Sequence, residues 1–254
     1  MENAPLVLIT GGGRGIGAAT ARLAAAQGWD VAINYARDEA AAEAVADTVR
    51  TLGRRALTLC ADVADEGQVR AMFATLDRHA QDGLGPLAGL VNNAGIVDVA
   101  ARVDEMTGLR LQRMFAVNVF GTMVCAREAV RRMSSRHGGA GGAIVNLSSA
   151  ASRLGSPGQY VDYAAAKGAV DSFTLGLARE VAAEGVRVNA VRPGVIATEI
   201  HASGGQPERA TRLAPTLPMQ RAGTADEVAQ AIVWLLSPAA SYTTGALLDV
   251  GGGR

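Results

Sequence analysis

Short apolar runs alternate along the chain with longer stretches rich in alanine. Each apolar run is five or six residues long and is dominated by aliphatic side chains, with little alternation of polar and apolar positions. Continuously apolar strands of this kind are typical of parallel sheets that helices cover on both faces. The runs, and the strands they predict, are 6–10, 31–35, 56–61, 87–92, 143–148, 186–191 and 246–250.

The stretches between these runs have helical features. Gly28, Gly53 and Gly185 stand where C-cap glycines belong, and Thr224 with Glu227 has the capping-box spacing of a helix start. Alternating strands and helices with right-handed crossovers predict an α/β fold, a three-layer doubly wound parallel sheet. No linker, repeat or charge run divides the sequence, so we expect a single domain over 1–254. The predicted helices are 18–27, 40–51, 69–79, 109–133, 164–184 and one after Thr224.

Composition excludes several classes of protein. The chain has 254 residues, of which 49% are hydrophobic and 4% aromatic, and its 24 basic residues balance 24 acidic ones. That is too hydrophobic for a disordered chain, and no basic field attracts nucleic acid or an anionic membrane. No apolar run approaches the roughly 20 residues of a membrane span, and no signal-peptide pattern opens the sequence. We expect a soluble, cytoplasmic protein whose partners are neither nucleic acid nor membrane.

Cysteine and histidine usage indicates neither a disulfide framework nor a metal site. Cys60 and Cys125 form no CxxC pair. His79, His137 and His201 lie far apart in the sequence, without metal-ligand spacing. We therefore expect no bound metal.

A glycine-rich turn follows the first predicted strand and opens the first predicted helix. In this context glycines permit a tight turn and a close approach of the backbone to a pyrophosphate, which the helix N-terminus attracts. A flexible turn without a ligand is the alternative, and the P-loop pattern is absent. The segment fits the common dinucleotide fingerprint as Gly13-x-Gly15-x-x-Ala18, and a second pattern as Thr10-Gly11-x-x-x-Gly15-x-Gly17.

The second pattern resembles the glycine motif of the short-chain dehydrogenase/reductase family, whose members have the Rossmann fold. Further motifs of that family follow in the same order and cover nearly the whole chain. The sequence is similar to the sugar-dehydrogenase and ketoacyl-reductase branches. The matching segments are Asn92-Asn93-Ala94-Gly95, Asn118-Val119-Phe120-Gly121, Ser148-Ser149, Tyr163-x-x-x-Lys167 and Pro193-Gly194.

Tyr163 and Lys167 are the candidate proton-transfer pair. Four residues apart, they share one face of a helix. A nearby ammonium favours the phenolate and lowers a tyrosine pKa that is ordinarily near 10. Tyr163 is then able to exchange a proton with a substrate oxygen. The alternative is a packing tyrosine beside a solvated lysine; Tyr160, which has Ala164 four residues later, is expected to line the substrate pocket instead.

The resemblance adds Ser149 and Asn118 to the catalytic set. Ser149 matches the family's serine that hydrogen-bonds the reacting oxygen, whereas Ser148 is expected to bond to the backbone at a strand end. Ser149 stands 14 positions before Tyr163, one more than is usual in the family, and we expect the extra residue to bulge within 152–159. The family implies that Asn118 holds a water linked to Lys167. A buried asparagine bonded to neighbouring backbone is the alternative.

The end of the second strand bears on the choice of nicotinamide cofactor. Tyr35 stands where NAD-preferring relatives carry an acid, and Arg14 and Arg37 are able to clamp a 2′-phosphate. We therefore expect NADP(H) in preference to NAD(H), although Asp38 and Glu39 place competing negative charge nearby. The cofactor contacts implied by the resemblance are Gly11, Arg14, Gly15, Ile16, Gly17, Arg37, Asp62, Val63, Asn93, Ala94, Gly95, Tyr163, Lys167, Pro193, Val195 and Thr198.

The remaining expectations concern the substrate pocket and assembly. Segment 196–216 has no clear periodic pattern and is predicted to be a mobile lid, with 97–104 and 152–160 as pocket walls. Arg102, Arg153 and His201 contact a polar or anionic substrate or are simply solvated. The resemblance implies a homotetramer built on helices 109–133 and 164–184 and on the C-terminal segment 247–254.

Together these features predict an NADP(H)-dependent oxidoreductase. It would interconvert a small-molecule ketone and the corresponding secondary alcohol by hydride transfer, with Tyr163 as acid and base. Two alternatives remain open: an NAD-dependent sugar or steroid-type alcohol dehydrogenase, and a nucleotide-binding regulator that has lost catalysis.

Overall fold

A computed structural model describes residues 4–81 and 84–254. Its seven strands form one parallel sheet in the order β3-β2-β1-β4-β5-β6-β7, which confirms the predicted fold class. The strands are β1 (Leu6–Ile9), β2 (Asp30–Tyr35), β3 (Ala56–Cys60), β4 (Leu87–Asn92), β5 (Gly142–Leu147), β6 (Val186–Pro193) and β7 (Leu247–Val250). Each lies within two residues of a predicted apolar run at either end.

Helices cover the sheet on both faces, as the continuously apolar strands require. On one face of the sheet, α1, α2 and α10 pack against apolar side chains of β1, β2 and β5. On the other face α3, α5 and α7 pack over a second apolar cluster. The helices are α1 (Gly15–Ala26), α2 (Glu39–Thr51), α3 (Glu66–Gln81), α4 (Gly108–Phe115), α5 (Gly121–Met133), α6 (Ala151–Leu154), α7 (Val161–Val181), α8 (Ile200–Ser203), α9 (Arg209–Leu213) and α10 (Ala225–Leu236).

The strand order reverses beside β1, which pairs with β2 on one side and with β4 on the other. In doubly wound sheets this reversal opens a crevice at the carboxyl ends of the strands, where ligands bind. The segments after β1, β4, β5 and β6 carry four of the motifs found in the sequence, and all four therefore lie at one edge of the sheet.

The predicted helix 109–133 is wrong as a single regular α-helix. It is continuous, but a π-helical turn at Ala116–Phe120 separates α4 from α5. The Asn118 side chain donates a hydrogen bond to the Met114 carbonyl at 3.0 Å, and the Thr122 hydroxyl donates one to the Asn118 carbonyl at 3.0 Å. Side chains that compete for backbone carbonyls in this way disturb the regular ladder, and such π turns often occur at functional sites.

Segment 196–216 is more ordered than its sequence indicates, because it contains α8 and α9. These helices have four and five residues, which is too short for an apolar repeat to be read from the sequence. Within residues 4–81 and 84–254, no helix is both long enough and apolar enough to cross a membrane.

Candidate active site

The glycine turn after β1 is fixed by the segment that follows β4. The Asn93 side-chain amide donates to the Thr10 and Gly11 carbonyls at 2.9 Å each. The Thr10 hydroxyl accepts from the Asn93 and Ala94 amides at 3.0 Å each. Two motifs that are about 80 residues apart in the sequence are therefore one structural unit.

Several glycines of this turn admit no side chain. Gly11 and Gly15 have φ of +61° and +54°, in the left-handed region that favours glycine. A Cβ on Gly17 would lie 2.6 Å from the Asn93 amide nitrogen and 2.6 Å from the Gly11 carbonyl. Helix α1 begins here without a side-chain cap on Arg14, so its first amides are available to an anion. These residues fit the pyrophosphate of a dinucleotide, and Ile16 lines the adjoining cavity.

Ser149 and Tyr163 lie together at the carboxyl edge of the sheet. Both line a cavity, and the Ser149 hydroxyl hydrogen-bonds the Tyr163 phenol. Burial raises the pKa of Tyr163, and the hydrogen bond from Ser149 opposes that rise. The site residues alone therefore keep the phenol protonated near neutral pH. The net shift of the Tyr163 pKa is therefore upward, whereas the sequence led us to expect a lowering by Lys167.

Lys167 lies one helical turn after Tyr163 on the same face of α7. Its Nζ is 5.6 Å from the centre of the Tyr163 ring and donates a 2.6 Å hydrogen bond to the Leu147 carbonyl. Burial lowers the pKa of Lys167 to about 8, and the negative charge of Asp171 opposes the shift. Lys167 is also the single lysine of the sequence.

Ser148 and Ser149 have different environments. The Ser148 hydroxyl is buried and donates to the Lys167 carbonyl at 3.2 Å, which joins β5 to α7. Ser149 is half-buried, and its hydroxyl oxygen accepts from the Ala151 amide at 3.1 Å. Downstream, Gly155, Ser156 and Gly158 have positive φ, so the backbone of 152–159 turns sharply where the extra residue was expected.

Asn118 is fully buried, and its side chain bonds to backbone. Its Oδ1 accepts from the Ile96 amide at 3.1 Å, and its Nδ2 donates to the Ile96 carbonyl at 3.0 Å. A Cβ on Gly95 would lie 2.8 Å from the Asn118 Oδ1 and 3.6 Å from the Lys167 Nζ. Glycine at position 95 therefore leaves room for the Asn118 side chain.

The residues predicted to bind the adenosine end surround the carboxyl end of β2. Arg14 and Arg37 are exposed, and neither pairs with an acid among the described residues. The Tyr35 hydroxyl hydrogen-bonds the Glu39 carboxylate, and burial together with that negative charge raises the Tyr35 pKa. The Glu39 carboxylate therefore lies at this strand end, four residues after Tyr35.

Asp62 and Val63 follow β3 at the same edge. The Asp62 carboxylate accepts from the Ala64 amide at 2.9 Å and shapes the turn. Val63 is buried against Gly121, where a Cβ would lie 2.8 Å from the Val63 methyl carbon. This contact explains the glycine of the Asn118–Gly121 motif.

The other end of the crevice is a mostly apolar cavity of about 170 Å³. Pro193, Val195 and Thr198 line it from the segment after β6, with Asn93 beside them. A Cβ on Gly15 would lie 3.6 Å from the Thr198 side chain and 3.6 Å from the Glu199 carboxylate. Segment 196–216 therefore reaches across the glycine turn. The outer wall is formed by Val97, Leu154, Ser156, Tyr160, Ile200, His201, Gly204, Arg209 and Arg254.

Of the three residues suggested as substrate contacts, only His201 lines the cavity. Its Nε2 is 2.8 Å from the Ile196 carbonyl, and burial lowers its pKa, so it is neutral near pH 7. Arg153 instead contacts Asp249 at 3.5 Å, and exposed Arg102 pairs with Asp104. Among the described residues, no cluster of histidine, cysteine, aspartate and glutamate is arranged to hold a metal.

Arg209 and Glu199 are site residues that the sequence analysis missed. Arg209 begins α9 and lines the cavity, and Glu199 lies against the glycine turn. Both belong to a segment without periodic pattern or motif. A charged side chain in a segment already predicted to cover the pocket was the one signal that could have indicated them.

The sequence has close relatives. A family model described as enoyl-(acyl carrier protein) reductase matches residues 11–254. The chain is 55% identical over 249 residues to the Escherichia coli (strain K12) protein named uncharacterized oxidoreductase YgfF, covering 98% of this chain and 99% of that protein. The chain belongs to the short-chain dehydrogenase/reductase family.

Two further relatives have more specific names. The cis-4-hydroxycyclohexanecarboxylate dehydrogenase of Sinomonas cyclohexanicum is 40% identical, with 98% of this chain and 95% of that protein covered. A short-chain dehydrogenase from Burkholderia cenocepacia J2315, solved in complex with NADP, is 34% identical, with a TM-score of 0.87 and coverage of 99% and 98%. The protein is accordingly an oxidoreductase of this family, acting on CH–OH or C=O groups with a nicotinamide cofactor.

Proposed function

We propose that the protein is an NADP(H)-dependent oxidoreductase that interconverts a ketone and a secondary alcohol. The observation that carries the proposal is that Ser149 and Tyr163 line a cavity adjoining the glycine turn, with the Lys167 amine 5.6 Å from the centre of the Tyr163 ring. A protein that only binds a nucleotide needs no half-buried phenol beside a buried amine. This argues against the catalytically silent alternative.

The chain's own groups handle the substrate oxygen and its proton. When bound, the nicotinamide cofactor would donate hydride to the carbonyl carbon or accept it from the alcohol carbon. In the reductive direction Tyr163, protonated at neutral pH, donates its proton to the carbonyl oxygen. Ser149 donates a hydrogen bond to the same oxygen and stabilises the charge that develops there.

Lys167 contributes charge rather than a direct contact with the substrate. With a pKa of about 8, it is mainly cationic at pH 7 and stabilises the Tyr163 phenolate during proton transfer. Its hydrogen bond to Leu147 holds the amine in place. Two hydrogen bonds fix Asn118 to Ile96, and Asn118 lies close to Gly95. This backbone would support a water that lies between Asn118 and Lys167.

Preference for NADP(H) is supported by Arg14 and Arg37, which are exposed at the edge where the adenosine would lie. The NADP complex of the Burkholderia cenocepacia relative is consistent with it. Glu39 beside Tyr35 is the specific observation that favours the NAD-dependent alternative. Titration with both oxidised cofactors decides between them. Tighter binding of NAD⁺ that Arg37→Ala leaves unchanged would reject the preference.

The pocket and the assembly are parts of the same proposal. Segment 196–216 acts as a lid because it reaches from the cavity to the glycine turn. Leu109, Phe115, Phe120 and Met123 expose apolar surface along α4, the π turn and α5. That surface supports the predicted homotetramer, since exposed apolar side chains of this size are typical of interfaces. Light scattering coupled to size-exclusion chromatography measures the oligomeric state. Cytoplasmic localisation stays a prediction.

The activity is tested by following NADPH absorbance with a panel of ketones, sugars and ketoacyl thioesters. The name of the Sinomonas relative adds oxo- and hydroxycyclohexanecarboxylates to that panel. Tyr163→Phe should abolish turnover while retaining cofactor binding. Tyr242→Phe is the matched control, because Tyr242 is fully exposed. Retained turnover in Tyr163→Phe would reject the assigned acid and base.

A further inference from the structure

The cavity that contains Ser149 and Tyr163 has an unbalanced charge. Among the described residues that line it, Arg209 and Arg254 carry guanidinium groups, His201 is neutral near pH 7, and none is an aspartate or glutamate. Arg209 is half-buried and forms no ion pair with any described acid. A partly desolvated guanidinium without a counter-ion is unfavourable, which makes a cavity of this kind attractive to an anion.

Arg209 is held in place by neutral groups. Its Nη1 donates to the Gln159 side-chain carbonyl at 2.7 Å and to that of Gln206 at 3.2 Å. Its guanidinium lies 5.2 Å from the centre of the Tyr160 ring. Gln206 in turn donates to the Tyr160 hydroxyl at 2.7 Å. These contacts hold the arginine in place before any ligand binds.

The hydrogen-bonding capacity of Arg209 is only partly used. A guanidinium has five N–H donors, and both described bonds employ Nη1. The Nε–Nη2 edge makes no hydrogen bond to a described residue. This edge is one that binds a carboxylate through two parallel hydrogen bonds, and the resulting charge-assisted contacts are stronger than neutral ones.

We infer that the substrate is a ketone or secondary alcohol that also carries a carboxylate, which binds the free edge of Arg209 while the reacting oxygen lies at Ser149 and Tyr163. This rests on the proposed function and adds the substrate class to it. The apolar walls formed by Val97, Leu154 and Ile200 suit the carbon skeleton between the two groups. No redox or proton-transfer step is added to the reaction.

Matched pairs of substrates test the inference. Aliphatic and cyclic oxo acids are each compared with their methyl esters, which keep the ketone and remove the charge. We expect kcat/KM to favour the best acid over its ester by roughly 10- to 100-fold, in line with a charge-assisted bidentate contact. Arg209→Met should bring that ratio close to one. Arg70→Met is the control: Arg70 is exposed on α3 and does not line the cavity, so its ratio should be that of the wild type.

A binding measurement separates failure of this inference from failure of the proposed function. Calorimetry on the protein saturated with NADP⁺ compares hexanoate with hexanamide. Preference for hexanoate, lost in Arg209→Met and retained in Arg70→Met, supports the anion subsite even if no ketone is turned over. Reduction of esters and acids at equal efficiency would overturn the inference and leave the proposed function standing. Equal affinities for the two probes, or a preference that survives in Arg209→Met, would also overturn it.

Discussion

The Lys167 amine should titrate near pH 8 in the folded protein. Its ordinary pKa is 10.5, and burial in α7 lowers it to about 8 although Asp171 opposes the shift. That difference corresponds to about 3 kcal/mol between the two protonation states. Because Lys167 is the single lysine, protein grown with ¹³C-labelled lysine gives one side-chain signal whose shift reports this titration directly.

The same shift makes stability depend on pH with a defined sign. The unfolded chain holds the Lys167 proton up to about pH 10.5, whereas the folded chain releases it near pH 8. Between these values the unfolded state binds more protons, so the Lys167 contribution to the free energy of unfolding rises with pH. Denaturation of wild type and Lys167→Met across this interval isolates the contribution, since other groups titrate alike in both.

Two results would refute this reasoning. One is a lysine signal that titrates at pH 10 or above. The other is a difference in unfolding free energy between wild type and Lys167→Met that stays constant from pH 8 to 10.5. Asp171→Asn supplies a further check of the cause, because removing that negative charge should lower the Lys167 pKa further.

Three further predictions concern the frame of the site. Arg110→Met should destabilise the fold by about 3–5 kcal/mol in urea denaturation, because it leaves the fully buried Asp162 carboxylate unpaired. Arg102→Met, which breaks an exposed ion pair, should change the free energy of unfolding by no more than about 0.5 kcal/mol. Equal effects of the two variants would contradict the structural role of the Arg110–Asp162 pair. Gly17→Ala should weaken NADP⁺ binding roughly tenfold or more in a fluorescence titration, since its Cβ overlaps the Gly11 carbonyl; unchanged affinity would show that the turn yields. Glu199→Gln should tighten NADP⁺ roughly twofold by removing a carboxylate near the pyrophosphate position, and weaker binding would argue against that placement.

Much of the fold could be predicted because the signals are local. Continuous apolar runs predicted all seven strands, and Thr224 with Glu227 forms the predicted capping box at 3.2 and 2.8 Å. Helix 109–133 was predicted as regular because its apolar pattern is continuous. The π turn depends on hydrogen bonds made by the Asn118 and Thr122 side chains, and periodicity does not register them.

In the candidate site, too, the local spacing could be predicted from the sequence, whereas burial and packing could not. The spacing of Tyr163 and Lys167 guarantees one helix face, but not the burial that lowers the Lys167 pKa. Ser148 and Ser149 are chemically identical neighbours. Only the packing of β5 against α7 turns one hydroxyl toward the Lys167 carbonyl and leaves the other beside Tyr163.

By itself, the sequence determined the parallel sheet, the glycine turn and the family of chemistry, because these depend on periodicity, on backbone freedom and on spacing within one element. The tertiary structure alone decided how Asn93 holds the glycine turn, and which of the many arginines line the cavity beside Ser149 and Tyr163. Arg209 acquires its environment from Gln159 and Tyr160, which lie on another segment, together with the nearby Gln206. Contacts of that kind depend on how segments pack in space, and no local pattern in the chain encodes them.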